Sequence, residues 1–467
     1  MSAPVLPPVG PDWQTWARQV STYIRRQMPR LQTRTTGETP AEDGILLWDR
    51  AGYPVVSING KWRPLALQSS ENTDAFGRLR VSNPQTIFDS QLQYDKQPLL
   101  WVEKDVGSGS STHLPNESAV DMDVTTASGD SVIRQTREFF RYQPGKSQQI
   151  FCTGVLGTAQ ANTNKLVGYG ETKNGAFFGQ DGGGTYVLLR SYSGGSVDDS
   201  RKVYQADWSE DVLDGQGDSG ETADWSKTHI FTIDLEWLGV GLVRMGVVVG
   251  GQFITVHKFK NANLQTTTYM TTANLPVRYE ITNTGVAAAG STLKQICAQV
   301  STEGGLDNLQ KYPFATYQAG VSVPNGAANA IMPFVAQHAT TFNGIENRGL
   351  FVPVGYEILA TSGTIYAEVI YNPTLTGGTF GAVDSNSFME GAADVGTAFS
   401  GGTVIDNGVT GASGKNKVGV VEQRGLSSRL PFGLDIDGAN PTPLGLKVHA
   451  LTNSVTCDLA FFWAEVR

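Results

Sequence analysis

Short runs of alternating or continuous apolar residues recur along most of this chain and are separated by Gly, Asn, Asp and Pro. This pattern is typical of β-strands bounded by turns. Beyond residue 34, strand-like runs do not alternate with helical ones, which argues against a parallel α/β sheet. The sequence therefore predicts an all-β fold with two antiparallel β-sandwich or jelly-roll domains. The clearest predicted strands lie at 185–192, 229–237, 243–249, 253–259, 277–283, 293–300, 446–451 and 455–466.

One segment near the N-terminus has a helical period instead. A Pro-rich arm, 1–12, is followed by Asp12 as an N-cap, and Pro29 ends the predicted helix at 13–28. Because an isolated helix of this length is marginal in water, its apolar stripe is expected to bury against a partner protein. A membrane surface, nucleic acid and packing on its own domain are the alternatives. The predicted anchoring and oligomer contacts are Trp13, Trp16, Val20, Tyr23 and Ile24.

Turn signals and prolines divide the rest of the chain. Asn59-Gly60 predicts a type I′ hairpin within a three-stranded meander. In the C-terminal third, 356–360 and 364–372 flank Ser362-Gly363 and predict a hairpin. The predicted segments are an arm with anchoring helix at 1–34, a small β-meander at 35–70, a concanavalin-like β-sandwich at 71–308, a linker at 309–325 and a C-terminal sandwich or jelly roll at 326–467.

The composition supports a β-rich chain and argues against some classes of partner. Glycine supplies 54 of 467 residues, and only 17% are charged, where about 25% is typical. Residues 1–34 hold five arginines and one aspartate, so they carry +4 of a net charge of −9 and the remainder carries −13. An acidic chain is a poor general nucleic-acid binder. The sequence also contains no run that predicts a membrane span.

The most enzyme-like feature is a strand carrying Asp234 and Glu236. The spacing resembles the retaining β-glucanase motif, but Thr232 stands where that family has its nucleophile. Strand alternation predicts Ile233 and Leu235 on the buried face and both carboxylates on the wetter one, ionised together. A retaining glycosidase needs two carboxyl groups in distinct roles, so we expect no hydrolysis here. A glycan depolymerase acting through this pair is the alternative.

Other candidate chemistry is weak. The acidic loop 211–224 leaves a calcium site open, although it lacks the EF-hand glycine position. The five histidines show no metal spacing, and three distant cysteines predict neither a zinc site nor a disulfide framework. Cys457, in an alternating run, is expected to be a buried thiol. The sequence thus predicts no catalytic, cofactor-binding or metal-binding residues and a protein that is not an enzyme.

Three segments carry a resemblance to a known group. These are Asp74-Ala75-Phe76-Gly77-Arg78-Leu79-Arg80-Val81-Ser82 with Phe88-Asp89, the stretch from Trp237 through Leu275-Pro276-Val277-Arg278-Tyr279-Glu280-Ile281 to Glu303-Gly304-Gly305, and Gly60-Lys61-Trp62-Arg63-Pro64-Leu65. The first two resemble virion structural proteins of tailed bacteriophages and some large DNA viruses. The third is similar to modules near the N-termini of phage fibres. The resemblance implies a non-enzymatic, often trimeric particle component, with no catalytic residues to transfer.

Together these features predict a structural component of a tailed-phage virion, made in the host cytoplasm. It would be a fibre, spike or capsid or tail decoration protein. The expected partners are two further copies in a homotrimer and, through residues 1–70, other virion proteins of the capsid, portal or tail. A carbohydrate-binding host-attachment adhesin, recognising a host surface glycan through exposed aromatic residues of the Gly-rich loops, is the main alternative.

Overall fold

The computed structural model describes residues 46–48, 54–58, 61–64, 73–75, 80, 82–304, 311–360, 363–392, 396–410, 416–418 and 432–466. It divides into two compact units, Met1–Thr73 and Asp74–Arg467. The predicted arm and helix lie outside the described residues, and so do Trp13, Trp16, Val20, Tyr23 and Ile24. Their proposed role therefore stays a prediction. Within the described ranges, the structure contains no helix long and apolar enough to cross a membrane.

The first unit contains the three-stranded antiparallel meander that the sequence predicts. Its strands, in spatial order, are β1 (Leu46–Trp48), β2 (Pro54–Ile58) and β3 (Lys61–Pro64). The register pairs Ile58 with Lys61, the residues on either side of Asn59-Gly60. A two-residue connection is what an Asn-Gly hairpin requires.

In the second unit, two antiparallel sheets form a first sandwich. One sheet has seven strands in the order β13-β12-β11-β10-β17-β8-β5, and the other has eight, in the order β16-β15-β14-β9-β18-β7-β6 with β4 added to β18. A short 3-10 helix, Gln205–Asp207, follows β13. The strands are β4 (Pro84–Gln91), β5 (Trp101–Val106), β6 (Ser110–Leu114), β7 (Ala119–Val124), β8 (Ser131–Thr136), β9 (Gln148–Val155), β10 (Thr163–Gly170), β11 (Gly175–Asp181), β12 (Gly184–Arg190), β13 (Lys202–Tyr204), β14 (His229–Leu235), β15 (Val243–Val249), β16 (Gln252–Phe259), β17 (Val277–Asn283) and β18 (Ser291–Glu303).

The hydrophobic core of this sandwich lies between the two sheets. Alternate residues of β14 enter it, including Phe231, Ile233 and Leu235, and β17 contributes Tyr279 and Ile281. Apolar side chains at every second strand position bury together when two sheets pack face to face. The first sandwich confirms the all-β prediction. Leu275, Val277, Tyr279 and Ile281 of the second resemblance block lie in its core.

Residues 312–466 form a second sandwich of the same kind. Its larger sheets run β19-β32-β23-β30 and β26-β27-β20-β31-β24-β29, with small pairs β21-β22 and β25-β28. A short 3-10 helix spans Ala327–Asn329. The strands are β19 (Tyr312–Val323), β20 (Ile331–His338), β21 (Thr341–Phe342), β22 (Ile345–Glu346), β23 (Leu350–Ala360), β24 (Ile365–Tyr371), β25 (Thr374–Leu375), β26 (Gly381–Ala382), β27 (Met389–Ala392), β28 (Phe399–Ser400), β29 (Thr403–Thr410), β30 (Asn416–Val418), β31 (Leu444–Ala450) and β32 (Val455–Val466).

Two sequence predictions about this region are wrong. Residues 309–325 were expected to be a linker, but Tyr312–Val323 is a strand paired with β32. Pro313 fits in this strand because β19 lies at the edge of its sheet, where a missing backbone N–H is tolerated. The expected hairpin at 356–372 does not form either. Its two strands belong to different sheets, since β23 pairs with β32 and β24 pairs with β31.

Candidate functional site: a carboxylate cluster on the outer face of the eight-stranded sheet

Asp234 and Glu236 were predicted to lie on the wetter face of β14, and the structure corrects this. Their side chains do lie opposite Ile233 and Leu235, yet Asp234 is 1% and Glu236 0% exposed. Thr232, on the same face, is also fully buried. The alternation of residues along the strand therefore predicted correctly which face of the sheet these side chains occupy. It did not predict their burial, because other parts of the chain cover that face.

Two arginines hold the carboxylate of Asp234. Arg244 is its register partner on β15, and its Nε donates to Asp234 Oδ2 over 3.1 Å, alongside a second contact from Nη2. Arg80, from the segment before β4, contacts the same oxygen through Nη2. The other oxygen, Oδ1, accepts a hydrogen bond of 2.6 Å from Ser147 Oγ. Every side of this carboxylate is thus occupied.

The ion pairing extends from Asp234 to a second carboxylate. Arg80 also lies 3.6 Å from Glu303 at the end of β18, measured from Nη1 to Oε1. Two arginines and two carboxylates therefore form a chain of ion pairs, Arg244–Asp234–Arg80–Glu303. Buried charges are tolerated when they are paired and hydrogen-bonded in this way.

This arrangement holds neighbouring segments of the chain together and does not provide an acid–base pair. A retaining glycosidase needs one carboxyl group that can hold a proton and one free to attack the sugar. Asp234 is held by two guanidinium groups and a hydroxyl, so its carboxylate is committed to these contacts and is not free to attack a sugar. Thr232, where a nucleophile would stand, faces the adjacent strand, because a Cβ placed on Gly246 would lie 2.6 Å from its Oγ1.

The acidic loop 211–224 uses its carboxylates to shape its own backbone. Asp211 is buried and accepts hydrogen bonds from the N–H groups of Leu213 (2.9 Å) and Ser219 (2.7 Å). Asp214 accepts one from the N–H of Gln216 at 2.8 Å. Among the residues that the structure describes, no group of three or more His, Cys, Asp or Glu side chains could hold a metal ion.

The cysteines and aromatic residues also have clear placements. Cys152 and Cys457 are buried free thiols, and burial raises the pKa of each to about 12. The buried thiol predicted at Cys457 is confirmed. Trp208, near the acidic loop, is buried, whereas the most exposed ring among the described residues belongs to Tyr94, at 87%. Tyr94 lies outside the Gly-rich loops that were expected to supply sugar-stacking aromatics.

The sequence pattern did not predict the residues that complete the carboxylate cluster around Asp234. Arg244 could have been found, because a hairpin centred on Gly239 pairs position 234 with position 244. Ser147 and Arg80 come from distant parts of the chain, and nothing in the periodicity joins them to β14. Arg80 does belong to the first resemblance block, which gives that block a structural role in covering Asp234.

No protein-family profile and no curated protein matches this sequence. Among solved structures, a carbohydrate esterase of the Shiga toxin-encoding bacteriophage phi24B is 11% identical, with 47% of this chain and 100% of that chain covered at a TM-score of 0.29. The legume lectin-like domain from Entamoeba histolytica is 8% identical, with 46% and 96% covered at 0.27. A protein of unknown function from Shewanella oneidensis is 7% identical, with 54% and 100% covered at 0.33. Likenesses this weak carry no argument about what the chain binds or does.

Proposed function

We propose that this chain is a non-enzymatic structural component of a tailed-phage virion, acting as a fibre, spike or capsid or tail decoration protein. The observation that carries the proposal is the position of Arg80. This residue belongs to the block 74–82 that resembles virion proteins, and it neutralises Asp234, the carboxylate that an enzyme would need. In this proposal, the side chains that most resemble an active site hold the segment before β4 on the outer face of the sheet.

The N-terminal 70 residues are the proposed attachment to other virion proteins of the capsid, portal or tail, and a homotrimer is the proposed assembly. Residues 1–34 carry +4, against −13 for the remainder of the chain. A basic segment docking on an acidic partner surface would associate faster at low salt and more slowly as salt screens the charges. The anchoring stripe Trp13, Trp16, Val20, Tyr23 and Ile24 would supply the apolar contact.

A deletion of residues 1–34 tests this proposal. The deleted chain should keep the circular dichroism of a β-rich protein and lose incorporation into particles, measured by immunogold labelling of purified virions. The full chain should label particles at one class of position. Normal labelling by the deleted chain would place the attachment elsewhere, and an absence of label with the full chain would overturn a virion role. Light scattering of the full chain tests the trimer, and a stable monomer at micromolar concentration would contradict it.

Binding of a host surface glycan is a second proposal, favoured by Tyr94. Its ring is 87% exposed, and the exposed carboxylate of the neighbouring Asp95 offers a polar group to a sugar hydroxyl. Aromatic faces combined with a few polar groups are common in ligand recognition. Tyr94→Ala should abolish retention of the protein on host envelope polysaccharide, while Tyr317→Ala, which removes another exposed ring, should not.

A further inference from the structure

The outer face of the six-stranded sheet in the second sandwich carries two neighbouring rows of side chains. Its central strand here is β24, which pairs with β29 on one side and β31 on the other. Ile365, Ala367 and Val369 of β24 face the core, so the residues between them point outward. Each row takes one outward residue from each of the three strands. The rows are Val409, Tyr366 and His449, which we call the ring row, and Asn407, Glu368 and Lys447, which we call the polar row.

The ring row presents apolar and aromatic groups at the surface. Val409 is 54% exposed, and Tyr366 beside it is half-buried. The rings of Tyr366 and His449 lie 5.2 Å apart, measured between their centroids. The imidazole makes no hydrogen bond to any residue that the structure describes, and its Nδ1 is buried. Nε2 is therefore the ring nitrogen of His449 left to meet a bound molecule.

The polar row offers both donors and acceptors of hydrogen bonds. Glu368 accepts from Lys447 Nζ at 2.6 Å and from the Tyr366 hydroxyl at 3.2 Å, one on each carboxylate oxygen. A carboxylate has about four lone-pair positions, so Glu368 can accept further bonds. The Asn407 side chain is exposed, and its amide makes no hydrogen bond to the described part of the chain. Because the charges of Glu368 and Lys447 cancel, the row favours a neutral ligand.

The spacing of the two rows fits a sugar. They lie two strand positions apart, which is about 6.6 Å, and each row extends over three strands, about 10 Å across. A pyranose ring has a face of C–H groups and a rim of hydroxyl groups. Lying across the sheet, it can place the C–H face on the ring row and its hydroxyls on the polar row. Apolar surface combined with a few placed polar groups is typical of ligand sites.

The position of the rows within the sheet argues against an extended peptide as the ligand. Peptides that bind by strand addition need an open sheet edge, where backbone N–H and C=O groups are unpaired. β24 and β31 are interior strands with a hydrogen-bonded neighbour on each side. Only side chains are therefore offered to a ligand at this place.

We propose that the ring row and the polar row together bind a neutral oligosaccharide. Tyr366 and Val409 pack against the C–H face of a sugar, and Glu368 and Asn407 bond to its hydroxyl groups. His449 contributes Nε2 at the end of the ring row. The site lies in the second sandwich and depends neither on Tyr94 nor on a virion role, so each of these proposals can fail without the others.

A printed array of neutral and acidic oligosaccharides, probed with the full chain, tests the proposal. Tyr94→Ala, which removes the other proposed sugar contact, should still bind at least one neutral oligosaccharide. Adding Tyr366→Ala or Glu368→Gln to that chain should weaken this binding about tenfold or more, because a stacking surface or a charge-assisted hydrogen bond is lost. Tyr317→Ala and Glu357→Gln, the same changes on the other sheet of the second sandwich, should leave it unchanged.

Asn407→Ala decides the matter if the larger changes unfold the chain, since its exposed amide has no hydrogen bond to lose. Added to Tyr94→Ala, it should keep the melting temperature and weaken binding about threefold or more, as the loss of one neutral hydrogen bond would. Three results would overturn the proposal: no neutral oligosaccharide bound by Tyr94→Ala, binding unchanged by Asn407→Ala, or an equal loss in Tyr317→Ala. Preferential binding of acidic oligosaccharides would also overturn it, because the polar row carries no net charge.

Discussion

The outer face of the eight-stranded sheet and the contact between the two sandwiches both hold an acidic side chain in an ion pair, but at different depths. Asp234 meets Arg244, Arg80 and the hydroxyl of Ser147 and is 1% exposed. Asp437 meets Lys104 at 2.6 Å, and its side chain is 53% exposed. Water can replace the partner of the exposed carboxylate but not that of the buried one, so we expect only the buried pair to stabilise the fold strongly.

The largest loss of stability is expected from a substitution at Asp234. The change Asp234→Asn removes the shared counter-charge of Arg80 and Arg244 while keeping the shape of the side chain. Because Arg244 is 4% exposed, its guanidinium would lose the charge of its register partner while staying buried, and we expect a loss of about 3–5 kcal/mol of unfolding free energy. Urea unfolding followed by tryptophan fluorescence measures it. A loss below about 1 kcal/mol would show that the cluster does not fasten the sheet.

A buried histidine makes the stability of the second sandwich depend on pH. His338 is fully buried in the second sandwich, and burial lowers its pKa to about 4 from 6.5. The neutral ring stabilises the fold above pH 6.5, and this contribution is lost as the pH falls toward 4. His338→Gln keeps a donor for the Gly349 carbonyl and removes the titration. The stability difference between wild type and variant should change by about 3 kcal/mol between pH 7 and pH 4. Parallel pH curves would contradict this assignment.

The sequence predicts the inner face of a strand better than its outer face. The bounds of Val243–Val249, Val277–Asn283 and Val455–Val466 were predicted to the residue, because each has an inner face of apolar side chains. The burial of Asp234 could not be predicted, since the groups that cover it are about 90 to 150 residues away in the chain. The hairpin at 356–372 failed for a related reason, because a short turn can join two strands of one sheet or of two facing sheets.

The packing over the cluster can be tested at Gly246, which faces Thr232 on the neighbouring strand. A Cβ at this position would lie 2.6 Å from Thr232 Oγ1 and 3.0 Å from the carbonyl oxygen of Ile254. Gly246→Ala should therefore cost about 1–3 kcal/mol through overpacking. Gly381→Ala is the matched control, because a Cβ there meets nothing within 4 Å and its φ is not positive. Equal melting temperatures for the two variants would show that this face is loosely packed.

The smallest effect is expected for the exposed counterpart of the Asp234 ion pair. Lys104 and Asp437 form a 2.6 Å contact between the sandwiches, but their side chains are 38% and 53% exposed. Water solvates both charges after the pair is broken, and salt screens their attraction, so Asp437→Asn should cost about 0–1 kcal/mol. The loss should shrink further in 1 M NaCl, whereas the loss from Asp234→Asn should barely change, because buried pairs are screened much less. Urea unfolding of both variants at low and high salt measures the contrast. If Asp437→Asn lowered the unfolding free energy as much as Asp234→Asn, the expected difference between exposed and buried ion pairs would be wrong for this protein.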